Sequence, residues 1–121
     1  MWWIREYLGT NHYTRPNMMA INTGTKVEIT DVRLLNSPRF NIRISDYDGI
    51  YVHDMEIYVD IKGQLEIGRL FLGEEGVHTD LNGIEIPTFP LNTDGIDPSG
   101  KNILIERVNI TNFDDAVAIK P

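Results

Sequence analysis

The sequence predicts an all-β fold, a right-handed parallel β-helix in which the short strands of successive coils stack along one axis. Apolar and polar residues alternate with a period of two along most of the 121-residue chain, which is typical of strands. One strand-like pattern recurs along the chain, as it does in solenoid proteins. Few segments show the period of a helix. We therefore predict a single domain over residues 1–121, an incomplete solenoid of about four or five coils.

The repeat consists of three segments that share one pattern of apolar and polar positions. They are residues 27–34 (VEITDVRL), residues 50–57 (IYVHDMEI) and residues 103–110 (ILIERVNI). Each has apolar residues at its first, third, sixth and eighth positions, and two mostly polar residues separate its halves. This pattern suits a strand, a bend and a second strand. The first two segments are 23 residues apart and the last two are 53 apart, which fits two coils or one coil with an insertion.

Other β-rich architectures have to be weighed against the solenoid. The same alternation would suit an antiparallel sandwich of short strands. A leucine-rich repeat is disfavoured because its Leu/Asn consensus is absent and no helical half follows each strand. Residues 62–91 break the repeat with several glycines, two prolines and an apolar patch at 70–72. We therefore predict a long loop insertion at about residues 62–91, and long ordered loops are often functional.

Composition and charge narrow the classes of function. Hydrophobic residues make up 41% of the chain and charged residues 24%, which is typical of a globular domain. The net charge of −7 argues against a nucleic-acid partner, because such partners are bound through positive charge. No apolar stretch reaches the roughly 18 residues of a membrane span, so no membrane partner is predicted. The chain has no cysteine, and its start shows no signal peptide.

Two acidic motifs in the last third of the sequence form the candidate site. Residues 92–97 read NTDGID and place Asp94 in a turn-rich segment. Residues 112–120 read NFDDAVAIK and contain the adjacent Asp114 and Asp115. Asp94 precedes Asp114 by 20 residues, roughly one coil. Since residues one coil apart stack on the same face of a solenoid, the three carboxylates are expected to cluster.

The adjacent aspartates raise a question of side-chain direction. If Val117 and Ile119 faced a core, strand alternation would turn Asp115 inward as well. A buried carboxylate without a partner is very unfavourable. The pair is therefore expected either at a corner where the alternation breaks or in a site that exists to hold charge.

A cluster of three carboxylates has a chemical meaning. Like charges at short range raise at least one pKa, so one carboxyl can be protonated while its neighbours stay ionised. That is the acid and base pair of glycoside hydrolysis. A separation of roughly 6.5–9.5 Å between the two carboxyl groups would admit a water molecule, as inversion requires. The alternative is structural, because aspartates are common in turns, where they cap backbone groups.

The two acidic motifs, with the coil between them, resemble those of the polygalacturonases, pectin-degrading glycoside hydrolases with a parallel β-helix fold. Residues 92–97 match the family's Asn-Thr-Asp block and residues 114–120 its double-Asp block, in order and near the usual spacing. Further similarity lies in RPNMMAIN at residues 15–22, LLNSPRFNI at residues 34–42, and Trp2, Trp3 and Tyr7. The Trp-Trp start and the long loop before the first motif are more similar to exo-acting members.

The resemblance implies hydrolysis of α-1,4 bonds between galacturonic acid units, with inversion and without a metal or other cofactor. It implies that Asp114 is the general acid and that Asp94 and Asp115 activate the attacking water. The expected partner is polygalacturonate or a pectin oligosaccharide, and the expected location is extracellular. The candidate residues for binding substrate and shaping the site are Asn92, Asp97 and Lys120.

The chain departs from the family pattern in ways that leave alternatives open. Phe113 and Ala116 stand where the family usually has Gly and Cys. The family's Gly-His-Gly and Arg-x-Lys motifs are not found, so we expect the chain to be a middle part of an enzyme, and its activity alone stays open. Uncapped ends of a solenoid favour self-association. The nearest basic residues that could offset the negative charge are Lys101, Arg107 and Lys120. The alternatives are a non-catalytic pectin-binding or structural β-helix and a calcium-dependent, pectate lyase-like protein.

Overall fold

The computed structural model describes residues 15–63, 78–79, 85–86 and 90–121, and their strands dominate it. In chain order the strands are β1 (Met19–Thr30), β2 (Arg33–Leu35), β3 (Ile42–Tyr58), β4 (His78–Thr79), β5 (Glu85–Ile86) and β6 (Ile96–Thr111). Residues 61–63 are helical. Within these ranges, no helix has the length and apolar character that a membrane crossing needs.

The main sheet is parallel and has β3 at its centre. β1 and β6 pair with β3, and the short β2 also pairs with it. Val27 of β1 lies beside Ile50 of β3, which lies beside Ile103 of β6. The three repeat segments are therefore neighbours in the register that their shared pattern predicts. Parallel pairing excludes the antiparallel sandwich for this sheet, and among the described strands only β4 and β5 pair antiparallel.

Direct pairing of β3 with β6 also bears on the 53-residue spacing. No other strand of this sheet lies between the second and third repeat segments, so the chain passes from β3 to β6 as one step of the stack rather than two. The insertion predicted at about residues 62–91 lies mostly outside the described residues and stays a prediction. Trp2, Trp3 and Tyr7 also lie outside them.

The polar pair inside each repeat marks a bend in the backbone. Its second member is Asp31, Asp54 or Arg107, and all three have a left-handed backbone, with φ of 56°, 47° and 51°. Such φ values are uncommon for residues other than glycine. The Asp31 amide donates a hydrogen bond to the Asp54 carbonyl oxygen at 3.2 Å, so these bends stack from strand to strand. The predicted strand–bend–strand pattern is confirmed.

Apolar side chains on one face of the sheet form the core. Most of the fully buried ones lie on β3, because this strand has a neighbour on both sides, whereas those on β1 and β6 are mostly half-buried. Burying an isoleucine side chain stabilises a fold by about 1.5–3 kcal/mol. The buried cluster consists of Ile29, Ile42, Ile44, Ile50, Val52, Met55, Ile57 and Ile96.

Candidate active site

A buried asparagine from the segment before β3 holds the first acidic motif in place. Asn41 is fully buried and immediately precedes β3. Its backbone amide donates to the Asp94 carbonyl oxygen at 2.8 Å. Its side-chain amide donates to the carbonyl oxygens of Thr93, at 3.3 Å, and Asp94, at 3.0 Å. The Thr93 hydroxyl donates to the Pro90 carbonyl oxygen at 2.9 Å. The turn before Asp94 is therefore held both by its own hydrogen bond and by those from Asn41.

The second acidic motif stacks on the first through backbone hydrogen bonds. The Gly95 amide donates to the Asp115 carbonyl oxygen at 2.9 Å. The side-chain amide of Asn112 donates to the carbonyl oxygens of Asp115, at 2.8 Å, and Thr93, at 3.1 Å. The Phe113 amide donates to the Thr93 hydroxyl at 3.2 Å. The two motifs are therefore neighbours in space, as their 20-residue offset predicts.

This stacking brings the three predicted aspartates together. One side-chain oxygen from each of Asp94, Asp114 and Asp115 lies within 4.8 Å of the other two. Asp94 is buried, with 5% of its surface exposed, whereas the adjacent pair is exposed to solvent. Three carboxylate oxygens at this range could hold a cation, and they could equally share a proton. The expected cluster is therefore present, and it is open on one side.

The pKa of Asp94 is raised above its ordinary value. Burial raises the pKa of Asp94, and the charges of Asp114 and Asp115 raise it further, while a backbone hydrogen bond and Lys120 act in the opposite direction. One of its carboxylate oxygens is buried without a hydrogen-bond partner among the described residues. A raised pKa is a property of general acids. The choice of Asp114 as the acid therefore still depends on the resemblance and not on the electrostatics.

Asp97 lies deeper than the three clustered aspartates. Only 1% of its surface is exposed, and neither carboxylate oxygen has a hydrogen-bond partner among the described residues. Burial, and then the charge of Asp94, raise the pKa of Asp97 to about 6. Lys120 opposes this shift, with its Nζ 3.7 Å from the Asp97 Oδ2. The burial of Asp97 favours a role in shaping the site over direct contact with a substrate.

The other two candidate substrate-binding residues are more accessible. The Lys120 side chain is about half exposed, although its ammonium group faces Asp97. Asn92 is exposed and has a left-handed backbone, with φ of 56°. Its side-chain oxygen accepts a hydrogen bond of 2.8 Å from the guanidinium of Arg15. All six predicted site residues therefore lie in or beside the two stacked motifs.

The side-chain directions after the double aspartate distinguish the two arrangements considered for it. Val117 and Ile119 do not face a core, since 41% and 79% of their surfaces are exposed, whereas Ala118 is buried at 8%. The chain bends at residues 113–116, and this bend breaks the alternation that the argument assumed. Asp114 and Asp115 consequently lie at a corner, the first of the two arrangements considered.

Arg107, one of the basic residues named as nearest to the acidic motifs in sequence, pairs with a different set of carboxylates. Its guanidinium bonds Asp54 through Nε at 2.6 Å and Nη2 at 2.8 Å, and Nη1 lies 2.7 Å from Glu106. His53 bonds Asp54 at 2.6 Å and Glu28 at 2.9 Å, and these hydrogen bonds raise its pKa. These residues form a charge cluster across β1, β3 and β6. Its members occupy the polar positions of the repeat, so their proximity could have been predicted.

The carboxylate separation does not by itself favour inversion. The selected oxygens of the three aspartates lie within 4.8 Å of one another, which is shorter than the roughly 6.5–9.5 Å between carboxyl groups expected for an inverting site. The expected separation is therefore not seen between these oxygens. Inversion comes from the resemblance alone.

Comparison with known proteins finds one matching family and several relatives. The model of glycosyl hydrolases family 28 matches residues 1–121. Endo-polygalacturonases from Pectobacterium carotovorum subsp. carotovorum and Pectobacterium parmentieri are each 33% identical over 106 residues, which is 87% of this chain and 20% of theirs. A probable polygalacturonase from Vitis vinifera is 27% identical over 121 residues, 99% of this chain and 19% of its own.

Each match covers most of this chain but only a small part of the relative. The chain spans about 20% of the length of the curated relatives it matches. No solved structure matches it. The family match nevertheless covers every residue of the chain, including both acidic motifs, and it confirms the resemblance. The chain belongs to glycosyl hydrolases family 28.

Proposed function

We propose that this chain carries the aspartate site of a polygalacturonase-type hydrolase, which cleaves α-1,4 galacturonosyl bonds of pectin with inversion. The observation that carries the proposal is the clustering of Asp94, Asp114 and Asp115, whose nearest oxygens lie within 4.8 Å of one another. Polygalacturonate is the substrate class, and the matched relatives are named for it. A polymer of plant cell walls also implies an extracellular site of action.

The proposed scaffold is a right-handed parallel β-helix. Its support is the parallel register, which pairs Val27 with Ile50 and Ile50 with Ile103, and the stacked bends inside the repeat. In such a coil the acidic motifs lie at successive corners. That arrangement would present three carboxylates to a polymer lying across the coils.

In the proposed reaction, Asp114 donates its proton to the glycosidic oxygen as the bond from that oxygen to the anomeric carbon breaks. Asp94 and Asp115 together accept a proton from a water molecule, and its oxygen forms the new bond to the anomeric carbon from the opposite face. Asn92 and Lys120 would contact the substrate, and Asp97 would support Asp94 from below. An ammonium group suits the substrate carboxylate, although Lys120 also neutralises Asp97.

The test is an Asp114→Asn substitution in the protein that contains this chain. Removing a general acid slows hydrolysis by about 10²–10⁴-fold, so the release of reducing ends from polygalacturonate should fall at least 100-fold. Asp48→Asn is the matched control, because Asp48 is exposed and bonds only Asn102 among the contacts described. If Asp114→Asn keeps the wild-type rate, Asp114 is not the acid.

Two further measurements on the same reaction decide its finer features. Proton NMR of the first product formed should show the β-anomer, since inversion at an α bond produces it, and an initial α-anomer would contradict inversion. Product length decides between modes of cleavage. The matched relatives are named as endo-acting, whereas the start of the chain is more similar to exo-acting members. A protein that binds oligogalacturonate and releases no reducing ends would instead be a binding module.

A further inference from the structure

Arg15 is a buried arginine that joins three separate parts of the chain. Only 4% of its surface is exposed. Its Nη1 donates to the carbonyl oxygens of Leu91, at 2.5 Å, and Pro38, at 3.1 Å. Its Nη2 donates to the side-chain oxygen of Asn92 at 2.8 Å, across 77 residues of sequence. Arg15 belongs to the segment before β1. Its guanidinium therefore connects that segment to the segment before β3 and to the turn that precedes Asp94.

The physical chemistry of a guanidinium suits this position. Burying a charge is unfavourable unless hydrogen bonds compensate it, and here two carbonyl oxygens and an amide oxygen do so. The donors of arginine stand in a fixed, planar fork that can hold several acceptors in one geometry, whereas the ammonium of lysine is a point charge. A fork of this kind fixes the relative positions of its acceptors. For Arg15, those acceptors belong to the segment before β3 and to the turn that precedes Asp94.

The turn that Arg15 contacts leads directly to Asp94. Leu91 and Asn92 form an exposed turn, and Arg15 bonds both the Leu91 carbonyl oxygen and the Asn92 side chain. Asp94 follows only two residues later. A displacement of the turn would therefore be transmitted to Asp94, and a misplacement of about 1 Å can slow an enzyme roughly 100-fold.

We propose that Arg15 is a positioning residue of the active site: it fixes the turn at Leu91 and Asn92 so that Asp94 stays beside Asp114 and Asp115. This inference rests on the proposed function for its catalytic consequence. Arg15 acts through its hydrogen-bond acceptors and not on the substrate. It links the RPNMMAIN segment, which shows no acidic or catalytic character, to the chemistry of the site.

The kinetic test uses Arg15→Lys and Arg15→Gln in the protein that contains this chain. We expect kcat to fall about 10- to 100-fold for Gln, with KM within about threefold of wild type, and a smaller fall for Lys, which keeps the charge but not the fork. Arg33→Gln is the control and should leave both constants unchanged, because Arg33 is exposed and pairs with Glu56 away from the site. Wild-type kcat in both Arg15 variants would overturn the inference.

A second readout needs no activity. The carboxyl carbon of Asp94 is titrated by ¹³C NMR in the protein that contains this chain, as the wild type and as the two Arg15 variants. The groups that face Asp94 are Asp114, Asp115, Asp97 and Lys120. If the turn moves, Asp94 becomes more hydrated and more distant from Asp114, so its titration midpoint should fall towards the ordinary range. The Arg33→Gln midpoint should match the wild type.

The kinetic measurement and the Asp94 titration together distinguish a failure of the positioning role from a failure of the proposed function. An unchanged Asp94 midpoint in a folded Arg15→Lys chain would overturn the positioning role, even if kcat fell, because the loss would then be one of general stability. Lysine keeps the charge, so this variant answers the question if Arg15→Gln does not fold. Wild-type hydrolysis by Asp114→Asn would remove the proposed function, and the Asp94 titration would still decide whether Arg15 holds Asp94 in place.

Discussion

Asp97 shows how a single buried carboxyl can dominate the local energetics of this site. It is 1% exposed, its oxygens lack hydrogen-bond partners among the described residues, and Lys120 is 3.7 Å away. Its pKa is consequently raised from 3.8 to about 6, chiefly by burial. Such a group binds a proton more tightly in the folded chain than in the unfolded chain, so its effect on stability depends on pH.

We predict that Asp97→Asn stabilises the chain at neutral pH but not in acid. Above pH 3.8 the unfolded carboxyl ionises while the folded one stays protonated to about pH 6, so the stability of the wild type falls across this window and then levels. Asparagine does not titrate. At about 1.4 kcal/mol per pKa unit, the free energy of unfolding of the variant should exceed that of the wild type by about 2–3 kcal/mol more at pH 7 than at pH 3.5.

Urea denaturation at pH 3.5, 5, 6 and 7 measures this difference. Asp31→Asn is the matched control, because Asp31 is exposed and asparagine tolerates its left-handed backbone, so the same charge change should show no such trend. A constant difference between wild type and Asp97→Asn across the four conditions would mean that Asp97 is not buried as described.

At the scale of elements, the central strand β3 carries most of the packing energy. Val27, Ile50 and Ile103 occupy equivalent places on adjacent strands, but only Ile50 is fully buried. We predict that Ile50→Ala destabilises the chain by about 2–5 kcal/mol and Ile103→Ala by only about 1–2 kcal/mol. Equal losses in denaturant titrations of the two variants would contradict the central position of β3.

Gly95 determines how closely the two acidic motifs stack. A Cβ at this position would collide with the backbone carbonyl oxygen of Ala116 and lie 3.1 Å from Ile110. We predict that Gly95→Ala destabilises the chain by about 1–3 kcal/mol and lowers hydrolysis, because the Gly95 amide also bonds the Asp115 carbonyl oxygen. Thermal unfolding and reducing-end release measure the two effects.

Gly24→Ala is the control for this prediction. The nearest atoms to a Cβ at Gly24 belong to the far end of the Tyr47 side chain, which can rotate away, whereas the backbone at Ala116 cannot. A loss of stability as large for Gly24→Ala as for Gly95→Ala would show that space between the two motifs is not the cause.

The strand register was predictable from sequence because it depends on periodicity, and a solenoid repeats its apolar positions at a constant offset. The Asp94–Asp114 neighbourhood followed from the same offset. The exposure of Val117 and Ile119 was not predictable, since a bend at residues 113–116 breaks the alternation. The Arg15 contacts were not predictable for another reason. They join segments that share no sequence period, and only side-chain geometry reveals them.

At the scale of the whole molecule, the edges of the main sheet bear on the predicted self-association. Among the described residues, β6 pairs with β3 along one edge. On the other edge, residues 116–120 bond to Ile96 and Pro98 at the start of β6, and no described strand pairs with the rest of it. Unpaired edges recruit other strands, and lysine discourages this. We predict concentration-dependent association in sedimentation velocity, opposed by the net charge of −7.

Leu104→Lys tests this prediction, because Leu104 lies on β6 and is 51% exposed. The variant should sediment closer to the monomer than the wild type does. Leu35→Lys makes the same change at a similarly exposed leucine on β2 and should leave the association unchanged. A wild-type chain that remains monomeric at all concentrations would remove the edge as an interface.

The stacked left-handed bends have a consequence for how such chains can be lengthened. Because Asp31 and Asp54 occupy the same place on successive strands, 23 residues apart, the stretch between them is a self-contained module with matching ends. In the proposed β-helix, a tandem copy of residues 31–53 would add one rung whose inward side chains meet those above and below without any change of phase. In that fold, duplication of whole rungs would preserve the architecture, whereas a gain or loss of one residue within a rung would not.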